Sequence, residues 1–85
     1  MLKPQELKDT VAGMTSADYK ERFKAEYYQL KIRYDKLHNM CEKWDKNELD
    51  FVPTCSRFTY KMQLIAMQFY LKILEERAKT ENIEL

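Results

Sequence analysis

Apolar residues mark one side of two long segments. Phe23, Tyr27, Leu30, Tyr34, Leu37, Cys41 and Trp44 follow one another at steps of 4, 3, 4, 3, 4 and 3. Tyr60, Leu64, Met67, Leu71, Leu74 and Ala78 repeat at steps of 4, 3, 4, 3 and 4. A repeat of this kind belongs to helices that pack along a seam. The pattern predicts an all-α fold: an antiparallel two-helix hairpin with long helices, one from about Ser16 to Asp45 and one from about Thr54 or Ser56 to between Thr80 and Asn82. The two segments are nearly equal in length, so an antiparallel pair matches end to end.

Helix boundaries follow from local chemistry. Thr15 is expected as the N-cap of the first long helix, with Asp18 completing an approximate capping box and Met14 and Tyr19 forming a hydrophobic staple. Lys46 to Pro53 reads as the connection, because Asn47 and Asp50 suit turns and Pro53 biases Val52 towards an extended backbone. Phe51 and Val52 are expected to fold back over that end of the helix pair. Thr54 or Ser56 caps the second helix. Residues 1–13 form a separate lead: Pro4 could start a short helix with Leu7 and Val11 on one side, ended by Gly13, or the segment is a frayed tail. The remaining residues, 14–85, form the hairpin domain.

A second apolar stripe lies on another side of the second helix, at Ile65, Phe69 and Ile73 with Met62 beside them. One hairpin covers one stripe per helix, so this surface needs a partner. Either the lead folds over it, or the chain assembles into a homo-oligomeric helical bundle, a dimer or tetramer. The oligomer is the stronger expectation, because a chain of 85 residues has a marginal core.

Composition narrows the function. Lys and Arg number 15 against 14 Asp and Glu, a net charge of +1, which argues against duplex nucleic acid as a partner. One glycine and two prolines leave no room for a glycine-rich phosphate loop or an all-β design. Leu64 to Leu74 is too short for a membrane span and carries Gln68 and Lys72. No secretory leader is expected at the N-terminus. Cys41 and Cys55 suit free thiols in a reducing cytoplasm, and their spacing with the single His38 matches no zinc site. His38 has no nucleophile or base arranged around it. The expectation is a protein that is not an enzyme and uses no cofactor.

One polar line stands out. Arg22, Glu26, Gln29, Arg33 and Lys36 step by 4, 3, 4 and 3 beside the seam, and Gln63, Tyr70 and Arg77 share one side of the second helix. Arginine forks onto phosphate and stacks on flat rings, and tyrosine offers a ring face and a hydroxyl. The line reads in two ways: as a seat for a planar anionic molecule, or as ion pairs that set the register of the seam. For the first reading, Arg22, Arg33 and Arg77 are the phosphate candidates and Tyr19 and Tyr70 the stacking candidates. An antiparallel pair brings Arg22 and Arg77 together at one end, with Tyr19 and Tyr70 nearby. Under the second reading Glu26 and Glu76 take the arginines. The next places to look are Arg33 with Gln63, and Thr54 with Arg57.

Three stretches carry a resemblance. They are Tyr19-Lys-Glu-Arg-Phe-Lys-Ala-Glu-Tyr-Tyr-Gln-Leu-Lys-Ile-Arg-Tyr34, Phe51-Val-Pro-Thr-Cys55 and Met67-Gln-Phe-Tyr-Leu-Lys-Ile-Leu-Glu-Glu-Arg-Ala78. Together, over about Met14 to Leu85, they resemble a family of small helical phage and prophage proteins related to a crAss-like phage protein. Ser56 departs from the proline which that family carries at the first turn of the second helix. Some small phage proteins of this kind are similar to sponges that hold the cyclic nucleotide signals of bacterial CBASS immunity, as oligomers and without cleavage. The resemblance implies sequestration of a cyclic dinucleotide such as cyclic GMP–AMP in the bacterial host cytoplasm. A module that docks its exposed helix face on a host or phage protein is the competing expectation.

Overall fold

The structure is a computed structural model, and it describes residues 3–85, so the first two residues of the lead lie outside it. The described residues are all helical, without strands. A 3-10 turn at Leu7–Thr10 runs into the short helix α1, Val11–Met14. Two long helices follow, α2 at Tyr19–Asp45 and α3 at Arg57–Thr80. The whole measures 43 × 24 × 18 Å.

Helix α2 begins three residues later than its sequence pattern suggested. Its N-cap is Asp18, whose carboxylate accepts from the Lys20 amide at 3.0 Å, while Ser16 Oγ accepts from the Asp18 amide. A carboxylate outcompetes the Thr15 hydroxyl because it is charged and sits at the positive helix end. Thr15 instead donates back to the carbonyls of Val11 and Ala12. The start of α3 is at Ser56, whose Oγ accepts from the Thr59 amide at 3.1 Å; Thr54 lies outside the helix.

Both long helices end on the same device. Asn47 and Asn82 adopt φ of 57° and 56°, the left-handed region that asparagine tolerates. The next residue in each case, Glu48 and Ile83, donates its amide to a carbonyl five residues back, Lys43 and Ala78, at 2.8 Å. The second of these turns folds Ile83 into the core.

The two seams meet. Phe23, Tyr27, Leu71, Leu74, Ala78 and Ile83 form the buried cluster, with Leu30, Tyr34 and Leu85 packed against it. Tyr19 pairs with Glu81 at one end, and the rings of Trp44 and Tyr60 meet edge to face at the other, 5.9 Å apart. The helices therefore run antiparallel. Cys41 is buried, and Cys55 is exposed. His38 stacks on Tyr34 and approaches Glu42 at 3.5 Å.

The lead departs from expectation in two ways, and the weaker of the two expectations for the second stripe fails. Its first turn starts at Leu7 under a Glu6–Asp9 capping box, not at Pro4. Gly13 does not end the helix, for α1 continues to Met14. The lead also packs on α2, not on the second stripe of α3. Gly13 explains the choice: a Cβ there would come within 3.0 Å of the Ala25 Cβ, so the two backbones touch closely at this point. Ala25, Ile32 and Thr10 are buried, although none lies on a predicted seam.

Phe51 and Val52 do not fold back. They stay exposed at 53% and 91%. The Trp44–Tyr60 ring contact already closes that end, and Pro53 holds Val52 extended. Met62, Ile65, Phe69 and Ile73 remain exposed as well. The chain therefore has three layers among the described residues, lead, α2 and α3, with an apolar outer face on α3.

Candidate functional site

The similar lengths of α2 and α3, 27 and 24 residues, bring the first turn of one beside the last turn of the other. Tyr19 stands at the centre of this end. Its hydroxyl donates to Glu81 Oε1 at 2.6 Å and accepts from Arg77 Nη2 at 2.9 Å. Arg77 also donates through Nε to Glu81 Oε2 at 3.1 Å. Its guanidinium lies 5.0 Å from the centre of the Phe23 ring, and that of Arg22 lies 5.9 Å from the Tyr19 ring. Both distances suit attraction between a cation and an aromatic face.

Arg22 and Arg77 thus gather around one tyrosine, but neither takes the glutamate expected for it. Arg22 Nη1 donates to the Ser16 carbonyl at 2.8 Å, and Glu76 pairs with Lys79. Glu26 accepts from the Tyr70 hydroxyl, so Tyr70 is held on α2 one to two turns further in. Lys20 reaches the same end, with Nζ 3.4 Å from the Asn82 carbonyl.

The electrostatics follow these contacts. The Tyr19 hydrogen bond, joined by Arg77, holds the Glu81 carboxyl below the usual carboxylate range. The same bond to Glu81 pushes the Tyr19 hydroxyl up, and the bond to Glu26 does so for Tyr70. Burial, then the hydrogen bond to Glu75, raises Tyr27 on the opposite side of the seam. Glu81 is the site residue that the periodic pattern missed, because it lies past the last seam position. The available signal was its spacing, four residues after Arg77 on a helix end.

The other candidates do not join this cluster. Arg33 and Gln63 are exposed, Arg33 without an ion pair among the described residues. Thr54 is exposed in the connection. Arg57 grips Asp45 through two bonds, of 3.0 and 3.2 Å, and its Nη1 is buried without a partner. A separate cleft of about 600 Å³ lies between the lead and α2, lined by Pro4, Gly13, Lys24, Ala25 and Tyr28 and closed by the C-terminal Glu84 and Leu85. Among the described residues, no group of His, Cys, Asp and Glu side chains could hold a metal, and no helix is long and apolar enough to cross a membrane.

A family model described as Sequestin matches residues 17–80. The chain belongs to the Sequestin family. No curated protein and no solved structure matches it. The name of the family points to a sequestering role. The Sequestin match begins just before the α2 cap and ends with α3, so it takes in Tyr19, Arg22, Glu26, Tyr70 and Arg77. The lead and Glu81 stand outside the matched span.

Proposed function

We propose that this chain is a phage-encoded sponge that sequesters a cyclic nucleotide immune signal, a cyclic dinucleotide such as cyclic GMP–AMP, and so inhibits CBASS-type defence in the bacterial host cytoplasm. It binds without cleaving, and its working form is a homo-oligomer. One observation carries the reading: Tyr19 and Arg77 already hold an anion, the Glu81 carboxylate, and the Arg77 guanidinium that grips it lies over the Phe23 ring. A phosphate makes the same demand, with oxygens that accept charge-assisted bonds from a guanidinium fork and a phenol. Arg22 and Lys20 add positive charge at the rim. Glu81 sits at the C-cap of α3, and a phosphodiester, which carries the same single negative charge, competes with its carboxylate for Tyr19 and Arg77. A base can stack on the Tyr19 ring in place of Arg22.

Sequestration works by mass action. Protein in excess lowers the free signal below the level that triggers the host effector, and no chemistry is needed. A two-fold ligand with two phosphates suits an assembly that duplicates Arg77 and Tyr19 by symmetry. The exposed apolar face of α3 supports a second reading, a module that binds and blocks a host or phage protein.

The test is incubation with a panel of cyclic nucleotides, followed by removal of the protein. Depletion of one ligand, with intact ligand recovered after heat denaturation, supports a sponge. Arg77→Ala abolishes depletion and Glu81→Gln strengthens it, since the internal competitor loses its charge. A degraded ligand identifies an enzyme instead. No depletion of any ligand leaves the blocking module as the reading.

A further inference from the structure

The outer face of α3 carries Phe58, Met62, Ile65, Phe69 and Ile73, exposed at 67%, 48%, 40%, 66% and 56%. At about 100° per residue these positions lie opposite the seam that packs on α2. Among the described residues the lead is the element left to cover them, and it is committed to α2 through Gly13 and Ala25. We infer that this face pairs antiparallel with the same face of a second copy of the chain, about a two-fold axis that passes near Ile65 and Ala66. The inference rests on the oligomeric half of the function proposed above and is independent of its ligand.

Three features select a second copy as the occupant. The stripe is nearly symmetric about its own midpoint. Reversing it sets Phe58 across from Ile73 and Met62 across from Phe69, so each aromatic ring meets an aliphatic side chain. A surface that complements itself in this way is what a two-fold contact requires. Charge agrees with the antiparallel sense. Glu76 follows Ile73 on the same face, and among the described residues its ion pair is a 3.7 Å approach to Lys79 with both side chains largely solvated. In the antiparallel pair Glu76 lies level with position 55 of the second copy, just before its Ser56 cap, where the N-terminus of α3 favours a carboxylate. A parallel pair would instead set the two Glu76 side chains side by side. Area is the third feature. The five side chains leave roughly 500 Å² per copy to cover, about 1,000 Å² in all, which meets the threshold for specific association. Lys61 and Lys72 stay at one edge of the contact, in solvent.

Sedimentation velocity on the full chain across micromolar concentrations tests the inference. The expected species has twice the 10.4 kDa chain mass or an even multiple of it, and it persists in high salt because the contact is apolar. Phe69→Glu is expected to give the monomer mass with helical content unchanged, since Phe69 supports nothing within its own subunit. Ile65→Cys in a Cys55→Ser background is expected to give a disulfide-linked dimer on mild oxidation, since both Ile65 side chains lie by the axis and Cys41 is buried. A monomer at every concentration overturns the inference. So does an assembly that Phe69→Glu leaves intact, or one in which Ile65→Cys fails to cross-link. Cyclic nucleotide depletion on the same samples keeps the two proposals apart. Depletion by a monomer sinks the α3 pairing and the oligomeric half of the proposed function but leaves nucleotide sequestration, whereas a cross-linked dimer that depletes nothing does the reverse.

Discussion

Gly13→Ala sets two known effects against each other. Glycine in a helix is about 1 kcal/mol worse than alanine, and α1 is only four residues long, so the gain from replacing it is at most that. Gly13 has no positive φ, so alanine brings no backbone strain. Against the gain stands space. The new methyl would lie 3.0 Å from the Ala25 Cβ and 3.3 Å from the Glu21 carbonyl oxygen. Neither neighbour can rotate away, one being a methyl on the helix surface and the other backbone. The lead must lift off α2 by several tenths of an ångström, and overpacking of this sort costs about 1–3 kcal/mol. Crowding therefore wins by up to about 2 kcal/mol, concentrated in the lead. Hydrogen exchange measures it directly. Amides of residues 9–16 are expected to lose protection, by up to roughly 30-fold at about 1.4 kcal/mol per decade, while those of α3 keep theirs. Restoring room with Gly13→Ala/Ala25→Gly is expected to return part of the protection. Equal or greater protection in Gly13→Ala alone refutes the close approach.

Other outcomes follow from the same contacts. Leu74 is 1% exposed at the centre of the cluster, so Leu74→Ala is expected to cost about 2–5 kcal/mol of the roughly 4–13 kcal/mol that a chain this size has; a loss under about 1 kcal/mol by urea unfolding would contradict the seam. Asp45 and Glu81 have depressed carboxyls, held down by hydrogen bonds from Arg57 and Tyr19. Their contribution is present above the ordinary values of 3.8 and 4.5 and is lost as pH falls through the lower folded values, so thermal stability drops below about pH 4 and drops less in Glu81→Gln. Tyr27 is shifted upward, so its contribution is full below pH 10.0 and fades as pH rises beyond it; Tyr27→Phe makes the alkaline limb of the melting profile shallower, and the raised Tyr19 and Tyr70 keep the rest of it.

The helices and their seams were legible because burial on one side imposes a period, and both long helices kept theirs without a break. Position ends were legible where one side chain satisfies a backbone amide, as at Ser56. They failed where two polar residues compete three positions apart: Thr15 and Asp18 both fit a cap, and only the charge of the second decides. The packing of the lead on α2 was not legible, for a different reason. Its partner surface on α2, Ala25 and Ile32, is too small and too interrupted by Tyr28, Gln29 and Lys31 to show as a stripe, whereas Phe69 and Ile73 are large and regularly spaced. Close packing selects small residues, so a contact between Gly13 and Ala25 leaves almost no hydrophobic trace in the sequence.

The binding line split along similar grounds. Tyr19, Arg22 and Arg77 came together because the register of an antiparallel pair of helices of similar length fixes what meets at its open end. Arg33 and Gln63 stayed apart from that end because they sit in mid-helix, where the same register leads each away from it. Glu81 was invisible to the pattern and yet decides the state of the site, since without it two arginines and a lysine would crowd one tyrosine unbalanced. Under the function proposed above, an incoming anion competes with the Glu81 carboxylate for Tyr19 and Arg77. That is why Glu81→Gln and Arg77→Ala, which remove opposite charges from one network, are expected to move nucleotide binding in opposite directions. Were Glu81 merely a structural partner, both changes would leave binding alone or weaken it together.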